Sequence, residues 1–93
     1  MAKSNKVAIV TGSATGLGAS CALDLAERGW NVAINYTKSK KEADETYEAV
    51  KAKGVEARSY LCNVANEEQV EHMVAQVAAD FGAIHGLINN AGI

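Results

Sequence analysis

Eight residues, Thr11-Gly12-Ser13-Ala14-Thr15-Gly16-Leu17-Gly18, join a short apolar run to a helix-forming stretch, and their glycines are spaced G-x3-G-x-G. In such a turn Gly12 permits the sharp exit from a strand, Gly16 lets backbone approach a pyrophosphate, and Gly18 lets a helix lie close to the sheet. Free N–H groups at the helix N-terminus then face the phosphates. The spacing differs from the G-x-G-x-x-G of the general dinucleotide fingerprint, although each glycine has a comparable task. The bland reading is a tight strand-to-helix turn with no ligand. Ser13, Thr15 and Leu17 lie between the glycines and are expected beside the ligand if there is one. About 20 residues further on, an acidic residue would bind the ribose hydroxyls of NAD. Tyr36 stands there instead, followed by Thr37 and by Lys38, Lys40 and Lys41. Cations at that point either neutralise a 2′-phosphate, which favours NADP(H) over NAD(H), or form a solvated helix start.

A second constellation, Asn89-Asn90-Ala91-Gly92, ends a short apolar segment, Leu87-Ile88. By residue chemistry alone, paired asparagines at a strand end either satisfy loop backbone groups or face a ligand. Together the two motifs resemble the short-chain dehydrogenase/reductase family: TGSATGLG matches its TGxxxGxG pattern and NNAG its motif of the same spelling. The resemblance covers nearly the whole chain, from Lys6 to Ile93. It implies that Asn89 braces the central sheet, while Asn90, Ala91 and Gly92 lie along the ribose and nicotinamide side of the cofactor. Asn63 departs from the family, where an aspartate commonly accepts a hydrogen bond from adenine; an amide can still accept one. Leu61, Cys62 and Val64 are expected to wall that pocket. Thr15 also departs, since many NADP-preferring members carry a basic residue just before the second glycine.

The elements that must position these motifs alternate in type. Val7-Ala8-Ile9-Val10 reads as a strand buried on both faces, Val32-Ala33-Ile34 as a second, Ala57 to Leu61 as a third, and Leu87-Ile88 begins a fourth. From Leu17, a helix repeats Cys21 and Leu25 at fourfold spacing, flanked by Ala22 and Ala26, with Asp24 and Arg28 paired and Gly29 at its end. On that stripe Cys21 is a small core residue. Ser39 to Lys53 is a charged helix with Ala43, Tyr47 and Val50 inward, stopped by Gly54. Asn66 is an N-cap with Gln69 at the capping-box position, and Val70, Met73, Val74, Val77 and Phe81 form the stripe of a third helix closed by Gly82. Right-handed crossovers then give a Rossmann-type α/β fold: a parallel sheet in the order 3-2-1-4, the first two helices on one face and the third on the other. It is an incomplete doubly wound sheet, whose switch point lies between the first and fourth strands.

Composition narrows the function classes. With 9 Lys and Arg against 11 Asp and Glu, the net charge is -2, which offers no basic surface for nucleic acid or membrane. The two cysteines form no CxxC pair, so neither a zinc site nor a disulfide framework is indicated. No segment resembles a signal peptide or membrane span, and a cytoplasmic protein is expected. His72 and His85 have no carboxylate or nucleophile at a telling spacing and are taken as surface or partly packed residues. The family's catalytic serine, tyrosine and lysine lie beyond NNAG. The only YxxxK-like spelling, Tyr47 to Lys51, falls on the second helix and is assigned to its surface. Residues 1–93 therefore read as the cofactor-binding part of such an enzyme, with no catalytic residue to name and no activity expected of the chain alone.

For a full-length protein the resemblance implies an NADP(H)-dependent oxidoreductase that interconverts a ketone and a secondary alcohol, most like the 3-oxoacyl-[acyl-carrier-protein] reductases. Its partners would be a small carbonyl or alcohol substrate and further copies of itself. The alternative is a non-catalytic nucleotide-binding or interaction module. A Rossmann-type methyltransferase is disfavoured, because it needs a different glycine turn and NNAG has no place in it.

Overall fold

The computed structural model describes residues 6–14 and 16–90. In chain order the elements are β1 (Val7–Val10), α1 (Gly16–Glu27), β2 (Asn31–Tyr36), α2 (Lys40–Lys51), β3 (Ala57–Leu61), α3 (Glu67–Phe81) and β4 (Gly86–Ile88). The strands form one parallel sheet in the order β3-β2-β1-β4, as the alternation of elements requires. β1 is central. Its Ala8, Ile9 and Val10 lie opposite Val32, Ala33 and Ile34 on one side and Gly86, Leu87 and Ile88 on the other.

Two apolar layers hold the sheet. Val10, Val32 and Ile34 pack with Ala22, Ala26 and Val50 beneath α1 and α2. Val7, Ile9, Ala33, Tyr60 and Cys62 pack with Met73 and Val77 beneath α3. Burial of branched side chains on both faces makes β1 a near-continuous apolar run instead of an alternating one.

Several local expectations are corrected. The buried stripe of α1 is Gly18, Ala22 and Ala26, not Leu17, Cys21 and Leu25. The helix lies so close to the sheet that small residues fill the contact, leaving Cys21 half-buried and Leu17 exposed. α2 begins at Lys40 and adds a buried polar residue, Thr46, to its inward face. Asn66 caps α3 by accepting from the Gln69 N–H at 3.1 Å, but the Gln69 side chain does not close a capping box. Its Oε1 instead accepts from the Asn63 N–H at 2.8 Å. His85 joins the ends of β1 and β4: its Nδ1 accepts from the Val7 N–H at 3.0 Å, and its own N–H donates to Val7 O at 2.8 Å. Lys51 Nζ sits 5.6 Å from the centroid of the Tyr47 ring, which is half-buried against the layer beneath α1 and α2, so only Lys51 of this pair is a surface residue.

Candidate functional site

The glycine turn leaves β1 where the strand order reverses, between β1 and β4, and α1 begins at Gly16. Open parallel sheets bind ligands at such a switch point, outside the carboxyl ends of the strands. Gly12 and Gly16 have φ of 62° and 59°, a left-handed region that L side chains rarely adopt. Gly18 has another constraint: a Cβ there would meet the Gly12 carbonyl and approach Asn90 Nδ2 to 2.9 Å. Helix, turn and NNAG segment thus meet at one point, and only a hydrogen fits between them.

The turn is held from three sides. From β2, Asn35 Oδ1 accepts from the Gly12 N–H at 2.9 Å, Asn35 O accepts from the Ser13 N–H at 3.1 Å, and the Asn35 N–H donates to Ser13 Oγ at 3.0 Å. From α2, the Thr46 hydroxyl donates to Ala14 O at 2.8 Å. From the end of β4, the Asn90 N–H donates to Thr11 Oγ1 at 2.9 Å, and Asn90 Nδ2 reaches Gly12 O at 3.5 Å. The Thr11 hydroxyl lies 3.2 Å from Asn89 Oδ1, so the first asparagine ties β4 to β1. Ser13 is fully buried and braces the turn from behind. Ala91, Gly92 and Thr15 lie outside the described residues.

The outward side of the turn is different. The first N–H groups of α1 have no intrahelical acceptor, and its first turn carries no acidic side chain. α3, by contrast, begins with Glu67 and Glu68. An N-terminus free of carboxylates is suited to an anion, and the turn leading into it is already set by buried bonds. These residues fit the pyrophosphate of a dinucleotide.

Neighbouring strand ends supply the remaining positions. Tyr36 closes β2 half-buried, and Thr37 and Lys38 follow it exposed. Thr37 Oγ1 donates to Cys62 O at 3.3 Å. Lys40 is paired with Asp44 at 3.2 Å, whereas Lys38 and Lys41 form no ion pair among the described residues. Cys62 is buried in the layer beneath α3, so it offers the crevice backbone and not its side chain; that burial pushes the thiol pKa up. Asn63 is exposed, with Oδ1 accepting from the Ala65 N–H at 3.0 Å in a local turn. The second lone pair of that oxygen remains available to a ligand donor. Val64 is half-buried against the layer beneath α3, and Leu61 is exposed.

A groove of about 830 Å³ opens on the far side of β3, bordered by Arg58, Tyr60, Asn66, His72 and Asp80. It is not the site for an anionic cofactor, because the helix end beside it carries Glu67 and Glu68. Tyr60 and Asp80 satisfy one another there at 2.8 Å. Sequence reasoning missed Asn35 and Thr46, the two buried polar side chains that set the turn. The available signal was an asparagine directly after the apolar run Val32-Ala33-Ile34, which must find partners when buried.

The sheet order, the switch-point crevice and the braced glycine turn define an α/β protein of the doubly wound class. The family profile described as short chain dehydrogenase matches residues 6–93, and the chain belongs to that family. It is 49% identical over 89 residues to the 3-oxoacyl-[acyl-carrier-protein] reductase FabG of Staphylococcus epidermidis, an alignment covering 96% of this chain and 36% of that protein. A shorter relative, the short-chain dehydrogenase/reductase homolog YusS of Bacillus subtilis, is 38% identical over 89 residues, covering 96% of this chain and 82% of YusS. Among solved structures, a short chain dehydrogenase from Burkholderia cenocepacia in complex with NADP superimposes with a TM-score of 0.92 at 39% identity. The match covers 96% of this chain and 36% of that one. NAD+-bound xylitol dehydrogenase superimposes with a TM-score of 0.87 at 39% identity, covering 94% of this chain and 33% of that one. The chain thus spans about a third of the length of the FabG relatives and of these two structures.

Proposed function

We propose that the protein binds a nicotinamide dinucleotide across the glycine turn, NADP(H) in preference to NAD(H). We further propose that it is the cofactor-binding part of a cytoplasmic oxidoreductase that interconverts a ketone and a secondary alcohol. The carrying observation is the turn itself, with its inward polar groups bonded to Asn35, Thr46 and Asn90 and its outward side a carboxylate-free helix start. Gly12, Thr15, Gly16, Leu17 and Gly18 would form the pyrophosphate cradle, with the buried Ser13 bracing it from behind. Tyr36, Thr37 and Lys38 would flank the adenosine ribose, with Cys62, Asn63 and Val64 beside the adenine. Asn90, Ala91 and Gly92 would lie toward the nicotinamide, which supplies or accepts a hydride when bound. Lys38 and Lys41, in no ion pair among the described residues, favour a 2′-phosphate. Likeness to the FabG reductases supports a 3-oxoacyl thioester as substrate class; that the full-length protein is an oligomer is part of the proposal.

One observation favours a second reading, a nucleotide-binding module without catalysis: the chain covers 82% of YusS. Calorimetric titration of the chain with NADPH and NADH tests the binding claim. NADPH is expected to bind more tightly, and Gly16→Val to abolish binding with helical circular dichroism retained, since a β-branched residue at φ 59° forces the turn out of the conformation that presents its N–H groups. Failure of both nucleotides to bind the wild type would overturn both readings. Ketone reduction by a full-length protein would decide for the enzyme.

A further inference from the structure

Asn35 ends the buried part of β2 with 0% exposure, and its side chain spans two parts of the crevice. On one side Oδ1 accepts from the Gly12 N–H at 2.9 Å, in the glycine turn. On the other, Nδ2 donates to Cys62 O at 3.1 Å, and lies 3.4 Å from Tyr60 O and from Tyr36 O. These partners fix the amide's orientation, because an N–H requires the oxygen and the carbonyls require the NH2. No other short side chain offers an acceptor on one branch and donors on the other. Cys62 O also receives the Thr37 hydroxyl at 3.3 Å, so the segment after β2 is tied to the same carbonyl. Asn63, the expected adenine partner, is the next residue.

We infer that Asn35 is a positioning residue whose side-chain amide, bonded to both, couples the glycine turn to the end of β3 and so sets the pyrophosphate cradle relative to the adenine side of the crevice, beside the backbone bonds that tie each to β2. This rests on the proposed dinucleotide site. Asn35 touches no ligand: it acts through the Gly12 N–H and the Cys62 carbonyl. A ligand that spans both subsites depends on their spacing, whereas one that occupies a single subsite does not. Without the bridge, a spanning ligand must itself order the turn against the strand end, and its affinity falls by that cost.

The test is a split between ligands. Asn35→Asp keeps the volume and the acceptor for Gly12 but turns an oxygen toward three carbonyls. It is expected to weaken NADPH binding about tenfold or more, the effect of losing one buried hydrogen bond, and adenosine binding by less than about threefold. Thr46→Val serves as the control, since it removes another buried bond to the turn without touching β3. It should leave adenosine binding unaffected and reduce NADPH binding by less than Asn35→Asp does. Equal losses for NADPH and adenosine in Asn35→Asp, or no loss for either, would overturn the coupling. If that variant does not fold, the wild type answers by nuclear magnetic resonance. Adenosine, which reaches only the strand-end subsite, should shift the Gly12 and Ser13 amide signals, and unmoved signals at saturating adenosine overturn the inference. Wild-type protein that binds neither NADPH nor adenosine would instead sink the dinucleotide site, and the coupling with it.

Discussion

Replacing Gly18 by alanine is the smallest change that probes how α1 meets the turn. A Cβ at this position would lie 2.8 Å from the Gly12 carbonyl carbon and 2.9 Å from Asn90 Nδ2, and closer still to Gly12 O. The turn cannot easily retreat, because the Gly12 N–H is bonded to Asn35 on its other side. Helix propensity favours the substitution by at most about 1 kcal/mol, the advantage of alanine over glycine in a helix interior, since Gly18 lies in the first turn of α1. Overpacking opposes it by about 1–3 kcal/mol, toward the upper figure when the obstacle is backbone. Setting about 3 against about 1 leaves a net loss of about 2 kcal/mol, or roughly 10 °C in Tm for a domain of this size. Nucleotide affinity should fall as well, since the Cβ displaces Asn90 Nδ2 from its 3.5 Å approach to Gly12 O. Thermal denaturation followed by circular dichroism, with an NADPH titration beside it, measures both effects. A variant as stable as the wild type would show that propensity outweighs contact and that helix and turn are not tightly apposed.

Exchanging Lys38 and Lys41 for alanine should reduce NADPH affinity more than NADH affinity, and Lys40→Ala should do so less because Asp44 already holds that ammonium at 3.2 Å. Equal losses for the two coenzymes would refute the charge argument. Burial, reinforced by the hydrogen bond to Asp80, pushes the Tyr60 phenol well above its ordinary value of 10.0. The unfolded chain then loses this proton first, so the stabilisation is present below about pH 10 and is lost as pH rises further. Tyr60→Phe should flatten the alkaline fall in urea-unfolding stability, and superimposable pH curves for the two proteins would contradict it. The 93-residue chain should self-associate and show no NADPH-dependent ketone reduction, because Leu87 on β4 is 58% exposed and β4 has no partner on its outer side among the described residues. Light scattering that reports a compact monomer, or turnover across a ketone panel, would refute this.

The parts of the site that were legible in the sequence are those in which backbone geometry demands a residue type. Gly12 and Gly16 are required by positive φ, Gly18 by close approach, and Asn66 by an orphan N–H at the start of α3. Strand order followed from alternation and handedness, both of which are insensitive to individual side chains. The inward stripe of α1 was not legible, because periodicity weights large apolar residues, and this helix packs through Gly18, Ala22 and Ala26. Nor was the bracing of the turn. Asn35 and Thr46 bond to residues 23 and 32 positions away, and no local pattern announces such partners.

That division follows from what the two sets of residues do. Ligand-facing positions use backbone N–H groups and therefore leave glycines as their trace. The residues that hold those N–H groups in place use side chains, which many sequences can supply in many ways. In this chain the bracing is complete on the inward side before any ligand arrives, since Gly12, Ser13 and Ala14 are each already bonded. A dinucleotide bound there, as proposed, would therefore break none of these hydrogen bonds on entering the turn. Its phosphates would meet helix N–H groups that have no intrahelical acceptor, and the ordering cost that would otherwise subtract from affinity would be met during folding.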